Sequence, residues 1–285
     1  MVMPPLPPIG ARGRRWVLAA AALCVATALL AAASAARAAD PDALWKIVNG
    51  LCVPNQQQRG SPAPCALVDL HAAGGGYVVL KDRVGATQYL LMPTARITGI
   101  EDPLLLRPGA ANYFADAWAQ RGFTERAAGR TAGRAAGRAA GRAAGRALPR
   151  DAVSLAVNST YARSQNQLHI HIDCIRPEVR DALRRQQHAI GDHWAPLAEP
   201  LAGHRYWAMR IVADSLDDAN PFTLLATQQP GARAAMGRQT LVVAGSEFAD
   251  GRAGFILLND RADLARHDRA GGEELQDHSC ALAWE

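Results

Sequence analysis

The stretch 165-QNQLHIHIDCIRP-177 alternates polar and apolar residues through its centre. Successive side chains of a β-strand point to opposite faces, so a strand here separates the two kinds of residue. One face carries Leu168, Ile170, Ile172 and Cys174, and the other carries Gln167, His169, His171 and Asp173. The pattern therefore predicts a strand with one face in the core and one face able to perform chemistry.

The bulk composition excludes two broad classes of protein. The chain has 285 residues, of which 49% are hydrophobic, enough for a globular core and too many for disorder throughout. Its net charge of +5 is smaller than the charge of the ten arginines in residues 1–39 and 126–146, where no acidic residue occurs. Without those two segments the formal charge is −5, so we expect no nucleic-acid partner.

The N-terminus has the features of an export signal or membrane anchor. Arg12, Arg14 and Arg15 precede the apolar run 16–35, and Ala36-Arg37-Ala38 forms a small-x-small peptidase site. Residues 1–39 are therefore predicted to form a hydrophobic helix, either a cleaved signal or a retained single-pass anchor in the cell inner membrane. Both alternatives place the rest of the chain in the periplasm.

Cysteine usage fits an oxidising compartment. Cys24 lies in the leader, and the other four cysteines, Cys52, Cys65, Cys174 and Cys280, are even in number. Three pairings are possible, and we favour Cys52 with Cys65 and Cys174 with Cys280. The alternative is free or metal-binding thiols.

The remaining segments indicate an α+β fold with an antiparallel sheet and packed helices. Helices are predicted over 42–50, 112–126, 178–190 and 231–237, and a loop over 52–65. Strands are predicted over 77–82 and 88–93, as a hairpin, and over 152–159, 205–212, 239–245 and 254–260. We expect a catalytic region over 40–190 and a smaller C-terminal α+β region over 191–285 that completes the domain.

A low-complexity tract interrupts the first region. Residues 126–146 repeat Ala-Ala-Gly-Arg with a period of four, far shorter than the repeats of solenoid proteins. Each glycine disfavours helix by roughly 1 kcal/mol relative to alanine, so a mobile cationic insert is predicted. It either contacts an anionic membrane surface through its arginines or has no function of its own.

Three interpretations of the histidine strand compete. His169 and His171 are polar residues on a solvent-facing strand, or zinc ligands completed by His71, His204 or His278, or a nucleophilic pair. A neutral imidazole attacks phosphorus at neutral pH without a metal, and a neighbouring ring can stabilise charge or protonate the departing oxygen. We favour the third interpretation, which requires no cofactor and no metal.

The surrounding residues resemble the histidine-triad superfamily of nucleotide hydrolases and transferases. That superfamily has alternating histidines on a strand, an asparagine that ends the preceding strand and a glutamine seven residues later, as in Asn158 and Gln165. More specifically, the chain is similar to the bacterial CDP-diacylglycerol pyrophosphatase family. The blocks that carry this resemblance are 52-CVPNQQQ-58, 76-GYVVLKD-82, 89-YLLMPTARITGIEDPLL-105, 151-DAVSLAVNS-159, 169-HIHIDCIRP-177 and 276-QDHSC-280.

The resemblance implies a histidine-triad-like sheet and hydrolysis of CDP-diacylglycerol to CMP and phosphatidate through a nucleotidyl-histidine. Counted from Gln165, His169 takes the first triad place, His171 the nucleophile's place and Asp173 the third. If Gln167 takes the first place, His169 becomes the nucleophile; we prefer His171.

The resemblance also implies roles for residues outside the histidine pair. Asn158 orients the nucleophilic ring and Gln165 donates to a phosphate oxygen. Lys81, Arg96, Gln167 and Asp173 are further substrate contacts. The alternatives are a zinc-dependent envelope phosphohydrolase and a non-catalytic envelope protein that binds nucleotide. The sequence does not indicate an oligomeric state.

Overall fold

The histidine strand lies inside an antiparallel sheet. The computed structural model describes residues 40–135 and 148–284, so the leader and residues 136–147 lie outside the described residues. Strand β5 (Ile170–Ile175) pairs with β3 (Tyr89–Pro93) on one side and with β4 (Val153–Val157) on the other. Its predicted alternation is confirmed, because Ile170 and Ile172 are buried in the apolar core whereas His171 faces away from it.

The sheet continues on both sides of these strands. The other strands are β1 (Leu67–Asp69), β2 (Tyr77–Lys81), β6 (Ala195–Pro196), β7 (Trp207–Ile211), β8 (Gln239–Glu247), β9 (Ala253–Arg261) and β10 (Gln276–Asp277). Their order is β1-β2-β3-β5-β4-β8-β9-β7-β6, and β10 pairs with β5. All these pairings are antiparallel, so the α+β prediction and the hairpin of β2 and β3 are confirmed.

Six α-helices surround the sheet within the described residues. They are α1 (Ala43–Ile47), α2 (Val53–Arg59), α3 (Tyr113–Ala119), α4 (Gly122–Ala135), α5 (Pro177–Gln186) and α6 (Pro221–Gln228). Short 3-10 turns occupy Pro103–Leu106, Arg150–Ala152, Gln187–Ala189, Arg233–Arg238, Leu264–Arg266, Gly272–Leu275 and Ala281–Trp284.

The predicted loop over 52–65 is wrong in its first half, where α2 lies. A π-helical segment, Val48–Cys52, joins α1 to α2, so the first helix does not end at Gly50. Pro54 lies in the first turn of α2, and Gly60 ends the helix with a φ of 62°. Burial of Val48 and Cys52 beneath β2 and β3 provides the packing that favours helix here.

The low-complexity tract is helical at its start. Helix α4 includes residues 126–135, so the expectation of a mobile insert is wrong for this part. Ala127, Ala128 and Ala132 are buried, and this tertiary packing offsets the low helix propensity of the glycines. The rest of the tract, residues 136–146, lies outside the described residues.

Both faces of the sheet are covered. On one face, Leu155 and Ile170 share a buried cluster with Phe222 of α6 and Leu257 of β9. On the other, strand residues such as Val242 pack against α5 in a second cluster. The two predicted regions, 40–190 and 191–285, therefore share one sheet and one core.

The favoured disulfide pairing is confirmed. Cys52 is bonded to Cys65, and Cys174 is bonded to Cys280, with sequence separations of 13 and 106 residues. The second bond links the histidine strand to the C-terminal tail. In the part of the chain that the structure describes, no helix is long and apolar enough to cross a membrane.

Removing the two disulfides separately should destabilise the fold unequally. The paired change Cys174→Ala with Cys280→Ala should lower the free energy of unfolding by about 4 to 5 kcal/mol, and Cys52→Ala with Cys65→Ala by about 3 kcal/mol. The longer closed loop explains the difference, because its cross-link restricts the unfolded chain more. Urea titration of each variant measures both values, and a larger loss from the shorter loop would contradict the expectation.

Candidate active site

The two histidines lie side by side under a nearly complete cover of protein. Their ring centroids are 4.8 Å apart with the rings inclined by 69°. Only 8% of the surface of His169 and 4% of that of His171 is exposed. The solvent-facing interpretation is therefore wrong, because the polar face of β5 is covered by Gln88, Glu273 and their neighbours.

A backbone hydrogen bond fixes the tautomer of His169. Its Nδ1 lies 2.7 Å from the carbonyl oxygen of Gln167, two residues earlier. A carbonyl oxygen only accepts, so the proton of the neutral ring is on Nδ1. Nε2 of His169 therefore keeps an unprotonated lone pair, the requirement for nucleophilic attack.

His171 belongs to a polar network with Gln88, Glu273 and Asn158. Nε2 of Gln88 is 2.6 Å from Nδ1 of His171 and 3.0 Å from Oε1 of Glu273. Oε2 of Glu273 accepts a hydrogen bond of 2.6 Å from Nδ2 of Asn158. With the Gln88 amide nitrogen donating to both acceptors, neutral His171 carries its proton on Nε2, as a hydrogen-bond donor.

Burial keeps both rings neutral. Desolvation lowers the pKa of His169, and it lowers that of His171 to about 3. Burial alone would raise the pKa of Glu273, but the hydrogen bonds from the amides of Asn158 and Gln88 act to lower it. Oε1 of Glu273 lies 3.1 Å from Nδ1 of His171.

Asp173, the third polar residue of the strand, binds the C-terminal tail. Its carboxylate accepts hydrogen bonds from Nδ1 of His278 at 2.7 Å and from the hydroxyl of Thr87 at 2.6 Å. The tail also approaches the turn between β2 and β3 closely, because a Cβ on Gly85 would lie 2.5 Å from Cβ of His278. Asp173 therefore connects the turn, the strand and the tail.

The structure places the other predicted site residues at varying distances from the rings. Asn158 reaches His171 through Glu273, and Gln165 accepts a hydrogen bond from the backbone N–H of Leu44 at 3.0 Å. The side chain of Gln167 donates to the carbonyl oxygens of Pro93 and Ala95 at 2.9 and 3.0 Å.

The two predicted cations, Lys81 and Arg96, lie at the end of β2 and beside α1. Nζ of Lys81 donates to the carbonyl oxygens of Asp82 and Gly85 at 2.8 and 3.0 Å. Arg96 forms an ion pair with Asp42 and lies over the Trp45 ring, 5.3 Å from its centroid. Within the described residues, neither forms a hydrogen bond or ion pair with His169 or His171.

Unpaired polar atoms concentrate around the histidines. Seven buried side-chain atoms lack a hydrogen-bond partner among the described residues, and four of them belong to Gln88, Gln167, His171 and Gln276. Buried polar groups are nearly always paired in folded proteins. The concentration indicates a site shaped for a polar ligand.

The zinc interpretation of the histidine pair lacks a third ligand. In the described part of the chain, the one group of three or more potential metal ligands is His204, Asp260 and Glu274, which includes neither His169 nor His171. Of the candidates for a third ligand, His278 is hydrogen-bonded to Asp173, and His204 belongs to this separate group.

The chain matches known proteins over most of its length. The family model described as CDP-diacylglycerol pyrophosphatase matches residues 39–137 and 131–284. The chain belongs to this family. A relative from Yersinia pestis, named CDP-diacylglycerol pyrophosphatase, is 42% identical over 246 residues, which cover 86% of this chain and 86% of the relative. The two matched segments of the CDP-diacylglycerol pyrophosphatase model overlap at residues 131–137, inside the Ala-Ala-Gly-Arg tract.

Two residues of this candidate site were not predicted from the sequence. Gln88 was included only as the first residue of a strand, and Glu273 follows two glycines in a segment without a recognisable motif. The block 276-QDHSC-280 was the available signal for this end of the chain. It contains Gln276, whose Nε2 donates to the carbonyl oxygen of His171 at 3.2 Å.

The pair of Asp173 and His278 should make the stability of this family member depend on pH. The hydrogen bond to Asp173 raises the pKa of His278. Its stabilisation is thus complete below the unfolded value of about 6.5 and is lost as the pH rises through the higher folded value. Asp173→Asn should lower the free energy of unfolding by about 3 kcal/mol at pH 5.5 and by less at pH 8.5.

Chemical denaturation at the two pH values tests this, with exposed Asp181→Asn as the control. His278→Gln should reduce the pH dependence in the same way, because it removes the titrating partner. Equal losses at both pH values for Asp173→Asn would show that the pair is not charged in the folded protein.

Proposed function

We propose that this chain hydrolyses CDP-diacylglycerol to CMP and phosphatidate through a histidine bound covalently to the nucleotide. The observation that carries the proposal is the pair of buried neutral imidazoles, one with a free Nε2 lone pair and one with an Nε2 proton. Membership of the CDP-diacylglycerol pyrophosphatase family supports the substrate.

The fold that fits this chemistry is a histidine-triad-like sheet. Support comes from β5, which lies between β3 and β4, and from Asn158, which follows directly on β4. The strands β8, β9, β7 and β6 then extend the sheet beyond β4.

The sequence favoured His171 as the nucleophile, whereas the hydrogen bonds favour His169. The Nδ1 proton of His169 faces a carbonyl oxygen, which stabilises the positive charge that develops on a ring attacking through Nε2. Nδ1 of His171 accepts a hydrogen bond from the Gln88 amide, so the proton of this ring is on Nε2. We therefore assign the attack to His169 and keep His171 as the alternative.

In the first step, Nε2 of His169 bonds to the phosphorus that carries cytidine. The bond from this phosphorus to the bridging oxygen breaks, and phosphatidate leaves with the electron pair. The Nε2–H group of His171 donates a hydrogen bond to an oxygen of the diphosphate, while Glu273 holds the ring in place through Gln88.

In the second step, a water oxygen bonds to the phosphorus of the cytidylyl group. The phosphorus–nitrogen bond breaks, its electrons return to Nε2 of His169, and one water proton passes to solvent. CMP is released and the enzyme returns to its starting state. Lys81, Arg96, Gln165 and Gln167 remain predicted contacts of the substrate.

We further propose that the protein acts on the outer side of the inner membrane. The Arg-rich apolar leader and the two disulfides support export, since disulfides persist in oxidising compartments. The substrate's acyl chains stay in the bilayer, so an anchor at residues 1–39 would hold the enzyme beside them. A cleaved leader is the alternative, and the arginines of 126–146 would then supply contact with anionic lipids.

The two histidines should behave differently in trapping experiments. His169→Ala should abolish both CMP release and the covalent adduct, whereas His171→Ala should slow turnover by about 100-fold or more and still form the adduct. Rapid quenching with CDP-diacylglycerol in detergent micelles, followed by peptide mass spectrometry, detects a cytidylyl group on 165-QNQLHIHIDCIRP-177.

Far-ultraviolet circular dichroism and thermal unfolding show whether each variant is folded. An adduct retained by His169→Ala and lost by His171→Ala would exchange the two roles. Normal turnover by both variants would refute covalent catalysis by this pair.

The pH profile should reveal neutral rings. Because burial lowers the pKa of both histidines, kcat/KM should fall less between pH 7.5 and 5.5 than it would with an ordinary imidazole. An attacking imidazole with the ordinary pKa of about 6.5 would lose about tenfold between pH 7.5 and 5.5. Such a loss, measured with substrate well below KM, would contradict the assignment.

A further inference from the structure

A second polar cluster lies next in sequence to the active-site turn. Glu273 faces His171, whereas the following residue, Glu274, faces His204 and Tyr206. Oε1 of Glu274 accepts a hydrogen bond of 2.6 Å from the Tyr206 hydroxyl and lies 2.7 Å from Nδ1 of His204. One ligand atom from each of His204, Asp260 and Glu274 lies within 4.8 Å of the others.

Asp260 is the residue that requires a partner. Its side chain is on β9 and only 6% of its surface is exposed. Oδ1 accepts a hydrogen bond from the backbone N–H of Arg261 at 2.7 Å, but Oδ2 is buried without a hydrogen-bond partner among the described residues. A buried carboxylate oxygen without a partner is strongly unfavourable unless a proton or a cation neutralises it.

The charges around the cluster favour a cation inside it. Asp268 adds a third carboxylate, with Oδ1 4.0 Å from Nδ1 of His204. A cavity of about 350 Å³ is lined by His204, Asp260 and Asp268 of this region, and also by Arg205, Arg261 and Arg266. These arginines are exposed and screened by water, whereas the carboxylates of Asp260 and Glu274 lie deeper, so the interior is negative.

We propose that His204, Asp260 and Glu274 bind a divalent transition-metal ion of the zinc or manganese class. One imidazole with two carboxylates is a donor set that suits these ions better than calcium or magnesium, which take oxygen ligands. Ligands of such an ion lie about 3 to 4 Å apart, so the widest separation must close by about 1 Å on binding. His204 has 35% of its side chain exposed and gives the ion access.

The ion would hold the turn Gly272–Leu275, which carries Glu273. A Cβ on Gly272 would lie 2.8 Å from the Thr240 hydroxyl and 2.8 Å from a methyl group of Val242, so the turn already packs on the sheet. A metal bond to Glu274 fixes the other side of the same turn. The site is thus structural, and its binding of metal does not depend on the proposed hydrolysis.

Metal binding to the full chain, purified without a histidine tag and stripped of metal, tests the proposal. Titration calorimetry with Zn²⁺ alone and electron paramagnetic resonance with Mn²⁺ alone should show one ion per chain at micromolar concentration. Asp260→Asn, which keeps the side-chain volume, should weaken the affinity by at least about tenfold. The matched control Asp263→Asn, in the same cavity and outside the cluster, should leave the affinity unchanged.

Thermal unfolding supplies a readout independent of activity. Zn²⁺ should raise the Tm of the wild-type chain and of Asp263→Asn, and should not raise that of Asp260→Asn or Glu274→Gln. Absence of binding at 1 mM of either ion, a concentration on the order of the Kd of a weak surface site, would overturn the proposal. A shared proton would then neutralise the buried carboxylate of Asp260. Binding lost in His169→Ala but retained in Asp260→Asn and Glu274→Gln would also overturn it.

Discussion

The candidate site depends on the burial of two imidazoles on a covered face of the sheet. The carbonyl oxygen of Gln167 and the side chain of Gln88 determine which ring nitrogens carry protons. Because water is largely excluded, these few contacts act in a low dielectric and have larger effects than they would at the surface. A solvent-exposed histidine pair on an edge strand would titrate near neutrality and would lack this fixed arrangement.

The site is assembled from segments that are distant in the chain. The histidine strand contributes the rings, the residues just before β3 contribute Gln88, and the turn Gly272–Leu275 contributes Glu273. The Cys174–Cys280 disulfide and the hydrogen bond between Asp173 and His278 hold the tail against the strand. Residues that contact one another in the site are therefore far apart in the sequence. The antiparallel pairing of the strands in one sheet brings them together.

The sequence was sufficient for features encoded by local patterns. Alternation identified the faces of β5, and β-branched and aromatic runs identified the hairpin of β2 and β3. Features that depend on packing between distant segments were missed. The helix over Val53–Arg59 is one example, because its Gln-rich composition resembles a loop and its stability comes from burial of Val48 and Cys52. Glu273 is another, because no local pattern distinguishes a carboxylate that faces an imidazole from one in solvent.

The two ends of the sheet also have a consequence for the behaviour of the protein in solution. The outermost strands β1 and β6 have three and two residues, and one of the two in β6 is Pro196, which has no N–H to donate. Such short edges offer few free backbone groups to a strand of a neighbouring molecule. The long sheet is thus protected against edge-to-edge aggregation.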